Sequence, residues 1–127
     1  MAQRTTTATA TATTESFWTA GAPTPTPRTE VTAAVLEDYI YVIDGFDEFG
    51  QATDIVEDYN IANKTWSKTA APLPEPLHYT AAASYDGKIY VVGGYTAAGF
   101  PSNRLFIYDS VQNNWQEGNP CQQLKGH

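Results

Sequence analysis

Sliding the sequence along itself brings long stretches into step at an offset of 49 residues. Pro23, Pro25 and Pro27 fall on Pro72, Pro74 and Pro76, and Thr32-Ala33-Ala34 falls on Ala81-Ala82-Ala83. Ile40-Tyr41-Val42 falls on Ile89-Tyr90-Val91, and Asp44-Gly45-Phe46 on Gly93-Gly94-Tyr95. Tyr59 meets Tyr108, and Trp66 meets Trp115. The register breaks by a single residue, between Trp18 and Pro23 as against Trp66 and Pro72. Chance does not keep so many residue types in step, so the chain is built of repeated units.

Each unit reads as four short strands bounded by turn residues. In the first these run about Thr32 to Glu37, Tyr39 to Gly45, Thr53 to Asn60 and Lys64 to Lys68. In the second they run about Thr80 to Tyr85, Lys88 to Gly94, Asn103 to Asp109 and Asn113 to Glu117. Asp86-Gly87 is a two-residue hairpin turn, because it tolerates the positive φ such a turn demands; Glu37-Asp38 does the same work less favourably. Tyr108 to Trp115 encloses a second tight connection, and Gly93-Gly94 closes a strand where side chains would crowd a neighbouring backbone. Aromatics at 13%, with 8 Pro and 9 Gly as punctuation, suit an all-β fold with many turns.

A four-strand unit carrying Ile89-Tyr90-Val91-Val92-Gly93-Gly94, then Tyr108, then Trp115 resembles the kelch repeat. The resemblance spans about Ser16 to Pro120 and rests on Trp18, Gly45, Tyr59, Trp66, Gly93, Gly94, Tyr108 and Trp115. The first unit departs from it with Asp44-Gly45 in place of a glycine pair, which puts the local geometry there in question. The resemblance implies an all-β, partial kelch-type β-propeller of two four-stranded antiparallel blades plus one extra N-terminal strand. Residues 1–14 read as a disordered Thr/Ala-rich leader and 121–127 as an irregular tail. The blades cover about 19–66 and 67–117, with 15–18, including Phe17-Trp18, as the outer strand of a preceding blade. Propellers close with about four to eight blades, so two leave apolar faces open. The expectation is a truncated piece of a longer propeller; self-assembly of several copies is the competing reading.

Strand reversal sorts the loops. Connections one–two and three–four are tight and leave on one face. Connections two–three and four–one are long and leave on the other, where recognition usually sits. That face is expected to bind a protein or peptide partner through Arg28, Phe46, Asp47, Glu48, Phe49, His78, Tyr79, Tyr95 and Phe100. Kelch resemblance implies protein binding through the same face. Glu30 and Glu75 lie in the same connections, and Phe46 and Tyr95 also read as packing against the glycine-ended strands.

The remaining chemistry narrows the choice. A net charge of −7 opposes binding to a phosphate backbone, so no nucleic acid is expected. With the single Cys121 there is no internal disulfide or Cys-based zinc set, and the two histidines, His78 and His127, cannot build a multi-histidine metal site. No metal and no cofactor is expected. Asp44, Asp47, Glu48, Asp54, Glu57 and Asp58 read as solvated loop charge, since their spacing is not that of an EF-hand. Asn63-Lys64-Thr65 fits a glycosylation pattern but also the turn that precedes Trp66. No stretch is apolar for the roughly 20 residues of a membrane span, and no signal peptide is apparent, which leaves cytoplasm and exterior both open. The reading is a non-catalytic protein-binding module. Its alternatives are part of a kelch-like propeller enzyme acting on sugars, an oxidase or epimerase, or a structural surface repeat.

Overall fold

The computed structural model describes residues 17–120. The Thr/Ala-rich leader at 1–14, the tail at 121–127 with Cys121 and His127, and residues 15–16 lie outside the described residues. Strand alternation sends Ala34 and Leu36 of β1 (Thr32–Leu36), and Tyr41 and Ile43 of β2 (Tyr39–Ile43), to a buried face. These strands continue through β3 (Val56–Asn60) and β4 (Thr65–Ser67) as one antiparallel sheet in chain order. A short β5 (Leu77–His78) follows, then β6 (Ala81–Tyr85), β7 (Lys88–Val92), another short strand β8 (Tyr95–Thr96), β9 (Leu105–Asp109) and β10 (Asn114–Glu117). Strands β6, β7, β9 and β10 form the second sheet in the same order, and β5 pairs with β8.

The repeat in sequence is a repeat in contacts. Tyr59 and Trp66 meet with ring centroids 5.0 Å apart, as do Tyr108 and Trp115. Trp66 Nε1 donates to the Ala22 carbonyl at 2.9 Å and Trp115 Nε1 to the Ala71 carbonyl at 2.8 Å. Each Trp thus ties an outermost strand to the connection entering its own blade. Asp44 adopts φ 57 where Gly93 adopts φ 78, so the departure from a glycine pair leaves the left-handed step intact. Of the outer strand expected at 15–18, only Phe17 and Trp18 lie among the described residues; both are irregular, and Trp18 is 87% exposed, unlike the half-buried Trp66 and Trp115.

Between the sheets lies one apolar core. Ala34, Leu36, Tyr41, Ile43 and Val56 of the first blade meet Ile89, Val91, Phe106 and Tyr108 of the second. The connection between blades adds Leu73 and Leu77 to it. That connection is stitched to the first blade by its backbone: Leu73 N donates to Asp54 O, Leu77 N to Thr53 O, and Gly45 N to Leu77 O. β3 therefore begins at Val56 rather than at the expected Thr53, because the carbonyls of Thr53 and Asp54 serve the connection.

At three equivalent positions the blades use opposite chemistry. Leu73, Leu77 and Phe106 of the second blade are buried apolar groups, while Thr24, Arg28 and Glu57 stand in their places in the first. Arg28 and Glu57 form an ion pair at 2.9 Å with side chains 1% and 0% exposed. The guanidinium also donates to the carbonyls of Asp44, Ile55 and Val42, and Thr26 Oγ1 donates to Glu57 Oε2 at 2.5 Å. The reading of loop acids as solvated is overturned for Asp44, Glu57 and Asp58, all of which are buried. Their charge is supported by hydrogen bonds or suppressed by burial, neither of which spacing along a loop reveals.

Asp44 is the second kind. Thr80 Oγ1, from the second blade, donates to its Oδ2 at 2.6 Å, while Oδ1 is buried without a hydrogen bond. Burial, opposed by Thr80 and by Arg28, pushes this carboxyl up to about 7 from 3.8. Between those values the folded chain holds a proton that the unfolded chain releases, so stability is greatest below the lower value. It falls as pH rises towards neutrality, by on the order of 4 kcal/mol, and is flat above. Burial raises Asp58 too, which adds to the same slope. Asp44→Gly, which installs the second blade's residue, is expected to stabilise the chain at pH 8 and to remove most of the pH dependence. Urea midpoints at pH 5 and pH 8 decide it; an unchanged slope would place the titration elsewhere.

Candidate protein-docking surface

The connections β2–β3 and β7–β9 are not irregular loops but paired hairpins. Phe46 bridges Ala52 as Tyr95 bridges Pro101. Asp47 N donates to Gln51 O as Thr96 N donates to Phe100 O, and Gly50 and Gly99 turn both tips at positive φ. Asp47 Oδ1 accepts from the backbone N–H groups of Phe49 and Gln51, at 2.9 and 3.0 Å, which closes the first tip. These hairpins are hydrogen-bonded along their length. Their tips present Phe49, 80% exposed, and Phe100, 67% exposed.

Between the hairpins runs the strand pair β5–β8, which repeats the Thr29–Phe46 bridge of the first blade. It sets His78 between Phe46 of one blade and Tyr95 of the other. Phe46 stacks on His78 with centroids 3.9 Å apart, and His78 on Tyr95 at 5.6 Å. Tyr79 extends the row, nearly parallel to Tyr95 at 6.3 Å. His78 Nδ1 lies 2.8 Å from Glu30 Oε1, which orients the ring, and Tyr79 N donates to the Glu30 carbonyl. The result is a four-ring ladder across the junction of two blades, half-buried at Phe46 and His78 and open at Tyr79, which holds φ 61 and is 67% exposed.

Of the residues expected to face a partner, Phe46, His78, Tyr79 and Tyr95 come together in the ladder, with Asp47 and Glu48 adjoining Phe46. Phe49 and Phe100 flank it on the tips. Arg28 does not belong: its guanidinium is drawn inward by Glu57 and three carbonyls and is closed to any partner. Glu30, named only as a loop acid, is the member whose contact with His78 was not legible, since the pair is 48 residues apart. On the opposite face the connections are tight turns around Glu37, Ala62, Asp86 and Gln112.

Two four-stranded antiparallel sheets, packed face to face and joined through the rim of one by the connection into the next, are consecutive blades of a partial β-propeller. The sequence pattern of the Kelch motif matches residues 27–72 and 76–122, which is most of the chain. The chain belongs to the kelch-repeat family. Kelch repeats are commonly protein-interaction modules and generally non-catalytic scaffolds. None of the curated proteins compared with the chain matches it. No helix among the described residues is long and apolar enough to cross a membrane.

Proposed function

We propose that the chain is a non-catalytic kelch-repeat module that docks a protein or peptide through the rim carrying its long connections. The observation that supports this is the aromatic ladder Phe46–His78–Tyr95–Tyr79, held by two ordered hairpins and left open at one end. Rings preset on a rigid scaffold lose little conformational freedom on binding, which is why tyrosine and other aromatics anchor interfaces. The opposite rim exposes Val111, but within a turn that Asp109 Oδ1 closes on itself.

Selection of a displayed random-peptide library against the chain tests the reading. Enriched peptides are expected to lose binding on Tyr79→Ser or Phe100→Ser and to keep it on Val111→Ser or Lys64→Ser. Peptides sensitive to the second pair of changes but not the first would move the docking site to the tight-turn rim.

A further inference from the structure

The rim is acidic as well as aromatic, and its cations are already engaged. Glu30, with a side chain 43% exposed, adjoins His78, and Asp47 and exposed Glu48 follow Phe46. The described residues include five Lys or Arg side chains: Arg28, Lys64, Lys68, Lys88 and Arg104. Lys64 and Lys88 adjoin the tight turns at the far end of the blades. Arg28 is buried on Glu57, and Lys68 lies 3.8 Å from the same carboxylate. Arg104 bridges Glu75 at 2.6 Å and Glu117 at 2.8 Å, so it offers no free charge. Glu117 holds it so firmly that its own carboxyl is lowered. Exposed π faces beside acids that no Lys or Arg among the described residues pairs attract a cationic group twice, through the ring quadrupole and through Coulomb attraction.

We propose that the partner is a basic protein segment that lays an Arg or Lys side chain on Tyr79 and Tyr95 while Glu30 and Glu48 bind its charge. Arginine fits best, because its planar, weakly hydrated guanidinium stacks on rings and donates to carboxylates at the same time. Acidic segments are repelled. The proposal rests on the long-connection rim being the docking surface.

Three synthetic peptides of one length and equal aromatic content, carrying arginine, glutamine or glutamate at alternate positions, separate the outcomes. Their binding to the full chain is followed by fluorescence anisotropy of a label on the peptide. The arginine peptide is expected to bind tightest and to weaken as salt rises. Affinity should fall by roughly tenfold or more in Tyr79→Ser/Tyr95→Ser, which leaves every charge in place. It should fall again in Glu30→Gln/Glu48→Gln. Arginine-peptide binding that ignores the tyrosine changes would be diffuse attraction to a chain of net charge −7, and overturns the proposal. Glutamine or glutamate peptides binding as tightly, with loss in the tyrosine variant, overturn the cationic partner and leave the docking rim standing. If no peptide depends on the tyrosines, the proposal fails together with its premise.

Discussion

Glu57→Phe alone is expected to destabilise the chain by about 3–5 kcal/mol, and Arg28→Leu by a similar amount. The double change Arg28→Leu/Glu57→Phe should recover most of either loss. The reason lies in the repeat. Each single change breaks a buried ion pair: Glu57 is wholly enclosed and keeps only the longer contact with Lys68 at 3.8 Å, and Arg28 is 1% exposed. Three backbone carbonyls would still accept from Arg28, but none neutralises its charge. The second blade holds Leu77 and Phe106 at these two positions, each 1% exposed within the apolar core. Of the carbonyls equivalent to those of Asp44, Ile55 and Val42, that of Arg104 accepts from Gly93 N without a guanidinium, as Ile55 O accepts from Asp44 N in the first blade. The backbone therefore accepts either pair, and only a mixed pair is ruinous. Denaturant midpoints for the four proteins give the coupling energy directly. A double variant no more stable than its weaker parent would show that the blades are not interchangeable at their centres.

Gly94→Ala is expected to be as damaging, about 3 kcal/mol or more, and to act on the rim as well as on stability. A Cβ there would lie 2.6 Å from the His78 carbonyl, 2.6 Å from Thr80 Cγ2 and 3.2 Å from Thr80 Cα. Two of those atoms are backbone and cannot swing aside. The residue also sits at φ +79, where a side chain is strained whatever the space. Relief requires moving the segment that carries His78 and Tyr79, so the ladder should open as the fold weakens. Gly45 occupies the same position in the first blade, with Thr29 O 2.5 Å from its would-be Cβ. Gly99→Ala makes the control. Nothing lies within 4 Å of its would-be Cβ, so only the strain of φ +88 remains, about 1 kcal/mol. Equal losses at Gly94 and Gly99 would mean that backbone conformation, not close approach, makes Gly94 indispensable.

Much of the fold was legible because kelch chemistry is local and said twice. Strands β1, β2, β6, β7 and β9 fall within two residues of their expected ends, since alternating β-branched and aromatic residues between turn signals need no distant information. The Tyr–Trp pairs and the glycine ending each second strand were legible for the same reason. The rim was legible too, as strand reversal alone sorts long connections from short ones. Its inner order was not: Glu30 reaches His78, and Phe46 reaches it from another blade, only because the connection folds back over Gly45 and Thr53.

Charge is where reading from residues alone failed. Arg28 looked like a free cation on a Pro-rich loop, and Asp44, Glu57 and Asp58 looked like hydrated acids. Each has a buried side chain because of what crosses above it, and hydration is lost through neighbours distant in the chain. What the residues determined by themselves is the repeated blade, its strand order and its signature packing, all built from contacts within a few dozen residues. Tertiary structure alone decided which charges are sealed inside and which aromatic rings meet, because burial depends on how one blade covers another.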